Sequence, residues 1–173
     1  MTKIITETPR LIIREFNLGD IDDVFNFNTN AEVTRYTGDA GMVTNRAEAE
    51  QVIKNVWLTE YKKYGYARWA TQCKATGKVI GFCGFKFETH PSVQAIDMGY
   101  RFLPEYWGKG LATEAGLACI EYAKKHLAFD VVLADAVVEN IGSNKVLEKL
   151  GFEYQSQYQE DGFTLNRYAL QFN

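Results

Sequence analysis

The stretch that decides the fold runs Asp97-Met-Gly-Tyr-Arg-Phe-Leu-Pro-Glu-Tyr-Trp-Gly-Lys-Gly-Leu-Ala-Thr-Glu-Ala115. Gln94 to Leu103 reads as a strand, ended by Pro104. Two glycines, Gly108 and Gly110, then turn the chain, and a helix starts at once at Leu111 and continues to about Leu127. Ala115, Ala118, Cys119 and Tyr122 share one face of it. Free backbone N–H groups at a helix N-terminus attract anions, and glycines let a phosphate approach the main chain. Lys109 places a positive charge in the turn. The residues alone fit an anion loop or an ordinary Gly-rich strand-to-helix connection. Neither the Walker pattern nor Gly-x-Gly-x-x-Gly is present.

Working outward, Arg10 to Glu15 reads as a first strand after Pro9, Asp20 caps a short helix through about Asn28, and Asn28 to Gly41 is a polar loop. Thr44 or Asn45 caps the next helix, which ends near Tyr64 before Gly65 and repeats apolar residues at Ala49, Val52, Ile53, Val56, Trp57 and Tyr61. Tyr66–Cys73 and Val79–Phe87 are strand-like around a Lys74-Ala-Thr-Gly-Lys78 turn. Downstream, Val131–Val138 reads as a buried strand and Ser143–Leu150 as a helix. Phe152–Gln159 and Phe163–Phe172 form a hairpin around Glu160-Asp-Gly162. The order predicts an α/β fold whose mixed, mostly antiparallel sheet is flanked by helices, with residues 1–173 as a single domain.

The composition fits that expectation. The chain has 173 residues, 46% of them hydrophobic and 24% charged, with a net charge of −3. At this length folding buries roughly 70% of the unfolded surface, so no metal or disulfide is needed to build a core. The charge balance argues against a large nucleic-acid footprint. No apolar run approaches the ~18 residues of a membrane span, and no secretory apolar region opens the sequence. Cys73, Cys83 and Cys119 lack CxxC spacing, and His90 and His126 stand far from paired ligands, so reduced thiols in a cytoplasmic protein without metal are expected.

Three separated motifs resemble the GNAT N-acetyltransferases. Trp107-Gly-Lys-Gly-Leu-Ala112 is similar to their Arg/Gln-x-x-Gly-x-Gly/Ala loop, and its surroundings resemble the RimJ/RimL branch, which acetylates protein N-termini and other amines. Thr8-Pro-Arg-Leu-Ile-Ile-Arg14 resembles that branch's first strand, and Glu139-Asn140 through Ser143 to Gly151-Phe152 resembles its later Glu-Asn-x-x-Ser block. Trp107 stands where the wider superfamily has Arg or Gln, although Trp is familiar in the RimJ/RimL branch.

The resemblance implies an acetyl-CoA-dependent enzyme in which the cosubstrate lies in a split between two central strands and an amine attacks the thioester directly. Carried over, backbone N–H groups of Gly108, Gly110, Ala112 and Thr113, flanked by Trp107, Lys109 and Leu111, hold the pyrophosphate. Main-chain groups of Phe102 and Leu103 pair with the pantetheine arm and polarise the acetyl carbonyl. Asn140 and Ser143 meet the thioester end, and Lys145 lies nearer the phosphates. Ser143 is the candidate for protonating the leaving thiolate, or serves only as the N-cap of the helix that follows. Asp97 is the first candidate base and Glu160 the second, with Glu88 and Glu105 behind them.

The acceptor implied is an α-amine of a protein or peptide. The alternatives are a small amine (polyamine, amino acid or antibiotic) and, in another class, a non-catalytic acyl-CoA-binding module. A lysine-like amine of pKa ~10.4 is neutral in about one molecule in 2,500 at pH 7, a penalty of roughly 4.6 kcal/mol, whereas an α-amine of pKa ~7.8 pays only about 1 kcal/mol. Tyr36, Trp57, Tyr64, Tyr66 and Trp69 are candidates for an aromatic acceptor wall. A homodimer, common for such folds, is a further option.

Overall fold

The computed structural model describes residues 2–90 and 93–172. Its strands are β1 (Ile4–Glu7), β2 (Leu11–Arg14), β3 (Arg68–Cys73), β4 (Val79–His90), β5 (Val93–Phe102), β6 (Val131–Val137), β7 (Glu153–Glu160) and β8 (Phe163–Gln171). They make one sheet in the order β1-β2-β3-β4-β5-β6-β8-β7. All neighbours are antiparallel except β5 and β6. The helices are α1 (Ile21–Thr29), α2 (Ala31–Thr34), α3 (Arg46–Val52), α4 (Leu58–Tyr64), α5 (Leu111–His126) and α6 (Ile141–Lys149).

Side-chain alternation along β4 buries both faces of the sheet's centre. Phe82 packs edge-on to Phe27 of α1 and to Trp57, while the next residues, Cys83 and Phe85, face the other way. There Phe85 meets Trp69 of β3, and Trp69 meets Tyr122 of α5. Small residues let α5 lie close: Ala115, Cys119 and Ala123 are fully buried, and a Cβ on Gly116 would come within 2.7 Å of Leu150 at the end of α6. The three cysteines are free and buried.

The expected element order holds, with local differences. The first strand is preceded by β1, which pairs with β2 at the sheet edge. The polar loop from Asn28 contains α2, capped by Asn30, whose side chain accepts from the N–H groups of Glu32 and Val33. Asp20 does not cap α1 with its side chain. Its carboxylate accepts from both terminal guanidinium nitrogens of Arg14, at 2.9 and 2.8 Å, and from the Asn17 N–H. Asn45 caps α3, and Gly65 ends α4 with a left-handed φ of 81°.

Between α3 and α4, residues Ile53–Trp57 form a π turn. Ala49, Ile53, Trp57 and Tyr61 recur every four residues and are all buried, whereas Val56 is exposed. A four-residue repeat drifts around an α-helix of 3.6 residues per turn. The wider i→i+5 turn winds more slowly and brings the repeat back onto one face.

The central feature is a fork. β5 and β6 run parallel and pair at Ile96↔Val132 and Asp97↔Leu133. Beyond Asp97 the two strands diverge, β5 toward the glycine turn and β6 toward α6.

Candidate active site

A cavity of about 670 Å³ opens from the fork. Its walls are the end of β5 (Tyr100 to Phe102), the glycine turn with the start of α5, the first turns of α6, and α2 with the residues that follow it. The N-terminus of α5 is open. Gly110 takes the N-cap position at φ 76°, and no side chain caps the first turn. Its orphan N–H groups, the aligned peptide dipoles and the glycines together give a place that can receive an anion.

This turn is strapped from the far edge of the sheet. Glu114, in the first turn of α5, accepts from the Thr8 hydroxyl at 2.6 Å, the Arg10 N–H at 3.0 Å and the Arg10 Nε at 2.7 Å. Arg10 also donates to the Lys109 carbonyl at 2.9 Å. Partial burial of Glu114 works against ionisation, but the hydrogen bonds from Thr8 and Arg10 prevail and hold its pKa below the ordinary value.

Phe102, Trp107, Gly108, Gly110, Leu111, Ala112, Thr113, Asn140, Ser143 and Lys145 all line the cavity. Lys109 does not; its ammonium lies over the Tyr106 ring. Trp107 turns its indole back onto β5 and donates to the Phe102 carbonyl at 2.7 Å. Leu103 is also outside the lining. Its N–H donates to Ile80 of β4 and its carbonyl accepts from Tyr106, so both main-chain groups are engaged within the protein. In an antiparallel ladder hydrogen-bonded and non-hydrogen-bonded pairs alternate. With Leu103 bonded to Ile80, the register turns the N–H and C=O of Tyr100 and Phe102 away from β4 and toward the split. The backbone edge that faces the split is therefore that of Tyr100 and Phe102, with Leu103 turned toward β4.

The N-cap position, one of the two roles offered for Ser143, falls to Asn140. The helix begins at Ile141 and Asn140 is its N-cap, with Oδ1 accepting from the Ser143 N–H at 3.3 Å. Ser143 is thus a first-turn residue and not the cap, and its hydroxyl lies 3.1 Å from the Tyr100 hydroxyl. Asn144 fixes the helix to the sheet, donating to the Val137 and Asn140 carbonyls and accepting from Asn166 and Tyr168.

Asp97 sits at the fork itself, outside the cavity lining. Arg68 Nη2 stands 2.5 Å from its Oδ2, and Arg68 Nη1 donates to its main-chain oxygen. Gly99 makes room for this guanidinium, since a Cβ there would come within 2.6 Å of it. Burial raises the Asp97 pKa above the ordinary carboxylate value despite the Arg68 charge, and Asp135 on the facing strand adds to the rise. Asp135 is itself held by Arg167 Nε and Nη2 at 2.9 Å each and by the Tyr158 hydroxyl at 2.6 Å. Glu160 lies at the exposed tip of the β7–β8 hairpin, where Asp161 and Gly162 both take positive φ, and it does not line the cavity.

Of the five candidate wall aromatics, Tyr36 alone lines the cavity. Trp57, Tyr66 and Trp69 are buried in the core, and Tyr64 borders a groove against Phe87, Ile96 and Phe129. The lining residues that sequence reasoning missed are Tyr100, Arg101 and Tyr106 around the glycine turn, Gly142, Val146 and Lys149 of α6, and Glu32 and Val33 of α2 with Arg35 and Thr37 just after it. Asn30 followed by Ala-Glu-Val is a capping signal for α2 that was available in the sequence.

Residues 10–153 match the family model described as acetyltransferase (GNAT) domain. The chain belongs to the GNAT acetyltransferases. This GNAT chain is 31% identical over 151 residues to the uncharacterized N-acetyltransferase YoaA of Bacillus subtilis (strain 168), covering 86% of this chain and 82% of that one. Its fold is shared with a GNAT-family acetyltransferase from Bacillus anthracis, at TM-score 0.81 and 21% identity, with 99% of each chain covered. RimL, the ribosomal L7/L12 alpha-N-protein acetyltransferase solved in complex with coenzyme A, superposes at TM-score 0.81 with 17% identity over 98% of each chain.

As a GNAT enzyme the protein is an acyltransferase, and acetyl-CoA is the family's acetyl donor. Among the described residues no cluster of His, Cys, Asp and Glu is placed to hold a metal ion, and no helix is long and apolar enough to cross a membrane.

Proposed function

We propose that the protein transfers acetyl from acetyl-CoA to the α-amine at the N-terminus of a protein or peptide. The observation that carries this reading is the cavity mouth. Away from the glycine turn it is bordered by the exposed polar side chains of Glu32, Arg35 and Thr37, with Tyr36 as its single aromatic from the first half of the chain. A polar rim open to solvent suits the end of a longer chain; a closed aromatic box would suit a small cation. RimL, an alpha-N-protein acetyltransferase of the same fold, supports this reading.

In this mechanism the diphosphate of acetyl-CoA lies against the N–H groups of Gly108, Gly110, Ala112 and Thr113, with Lys145 near its phosphates. The pantetheine arm follows the edge of β5, where the N–H groups of Tyr100 and Phe102 are oriented to meet it and to polarise the thioester carbonyl. Such donors stabilise the negative charge that develops on oxygen by about 3 kcal/mol each. The amine nitrogen attacks the carbonyl carbon, the C–S bond breaks, and the thiolate leaves. Asp97, through water, takes the proton the nitrogen loses, and Ser143 gives one to the sulfur. The two transfers balance, and both groups return to their starting states by exchange with water. Asp97 ranks above Glu160 as base because it stands at the fork with a raised pKa, closer to that of an α-amine.

The experiment is thiol release from acetyl-CoA against a panel of peptide N-termini, polyamines, free amino acids and aminoglycosides. Turnover confined to peptides is the expected result. Turnover confined to any of the small amines overturns the acceptor assignment, and acetyl-CoA binding with no turnover on any class points to a binding module.

A further inference from the structure

Tyr100 sits on β5 beyond the last β5–β6 pair, and its side chain crosses the fork to α6. The phenol donates to the Ser143 carbonyl at 2.9 Å and stands 3.1 Å from Ser143 Oγ. The contact ties the β5 arm to the first turn of α6 at the cavity wall. From this geometry we infer that Tyr100 is a positioning residue for the reaction, fixing Ser143 Oγ where the leaving sulfur departs. The inference rests on the proton-donor role proposed above for Ser143.

The proton inventory supports it. A phenol has one hydrogen, and the Ser143 carbonyl takes it. The contact between the two hydroxyls is then filled by the serine hydrogen, which leaves the phenol oxygen as acceptor. Ser143 Oγ is held in place while its hydrogen stays free to swing about the Cβ–Oγ bond, from the phenol toward the cavity. Once that hydrogen passes to sulfur, the phenol hydrogen can turn from the carbonyl onto the serine oxygen and steady its charge until a proton from water restores it. Tyr100 does not itself give up a proton. Burial of its ring pushes its pKa well above that of free tyrosine, so a phenolate is disfavoured here. The main-chain N–H of the same residue faces the split, so one residue orients a donor for the thioester carbonyl and an anchor for the group that meets the sulfur.

The test is a double-mutant cycle on the full chain, reading kcat and the KM for acetyl-CoA with thermal midpoints as a check on folding. Ser143→Ala is expected to lower kcat about 10²-fold, in the range of a lost proton donor. Tyr100→Phe keeps the ring and is expected to lower kcat about tenfold, the scale of one hydrogen bond, with KM for acetyl-CoA held within about twofold. Adding Tyr100→Phe to Ser143→Ala is expected to change kcat by less than about twofold. In Ser143→Thr, which keeps a hydroxyl, the sensitivity to Tyr100→Phe should return. A full tenfold loss in the Ser143→Ala background overturns the inference while leaving the role of Ser143 intact. Ser143→Ala at the unmodified kcat overturns both.

Discussion

Arg68 holds Asp97 by one carboxylate oxygen: Nη2 stands 2.5 Å from Oδ2, while Oδ1 takes no hydrogen bond among the described residues. The arrangement orients the carboxylate and leaves one oxygen available. It also sets two opposing influences on protonation, with burial raising the pKa and the guanidinium lowering it.

Asp97→Asn keeps an oxygen for Arg68 but cannot accept a proton. We expect kcat/KM to fall about 10²-fold and the acid limb of the pH–rate profile that belongs to the carboxyl to disappear, leaving the one at pH ~7.8 set by neutralisation of the α-amine itself. Since the Asp97 pKa is raised, the limb in the unmodified enzyme should lie above the usual carboxylate range near 4. A carboxyl limb below pH 4, or one below that of the amine that survives in Asp97→Asn, would remove Asp97 as the base.

Arg68→Gln removes the charge that favours the Asp97 carboxylate. The carboxyl then ionises at still higher pH, so the acid limb should move up. A downward shift would show that Arg68 does not act on the titrating group.

Gly110→Ala tests the anion turn. The position has φ 76°, and the nearest atom to an added Cβ is Arg10 Nη2 at 3.6 Å, so the cost is conformational rather than steric. A left-handed alanine costs about 1–2 kcal/mol. The KM for acetyl-CoA should rise about tenfold with the acceptor KM unchanged, and equal rises in both would argue against a turn dedicated to the cosubstrate.

Glu114→Gln weakens the strap. The folded-state pKa of Glu114 is lowered, so its stabilisation is full above the unfolded-state value near 4.5 and is lost as pH falls through the folded-state value. Thermal midpoints of the two proteins should differ by about 2–4 °C at pH 7 and converge in acid. A gap that widens as the pH falls would contradict the sign.

Asp20→Ala opens the Arg14 pair, whose side chains are 13% and 7% exposed. Removing one partner of a buried pair costs about 3–5 kcal/mol, so the midpoint measured by calorimetry should drop by roughly 10 °C. The pair lies outside the cavity lining, and kcat at 25 °C should hold.

Most of the architecture was legible because its signals are local. Gly65 and the Asp161-Gly162 turn stop elements by φ preference, and the face of α5 declares itself by spacing. β1 was missed because Ile4-Ile-Thr-Glu7 is short and becomes a strand only through pairing with β2. In the sequence the helix reads as starting at Ser143, which offers it as a cap, whereas Asn140 three residues earlier accepts the orphan N–H of Ser143. The choice between Tyr100 and Leu103 at the split depends on which edge of β5 meets β4, a parity no single strand reveals. Arg68–Asp97 and Asp135–Arg167 are separated by 29 and 32 positions in the chain, so nothing near either carboxylate announces its partner.

The Thr8 and Arg10 contacts to Glu114 have a practical consequence for handling the protein. Neither residue lines the cavity, yet both brace the turn that does. Trimming the chain through Arg10, or crowding it there with a fusion partner, would register in an assay as weakened cosubstrate affinity, and a screen of such variants would misread a loosened brace as a damaged binding site.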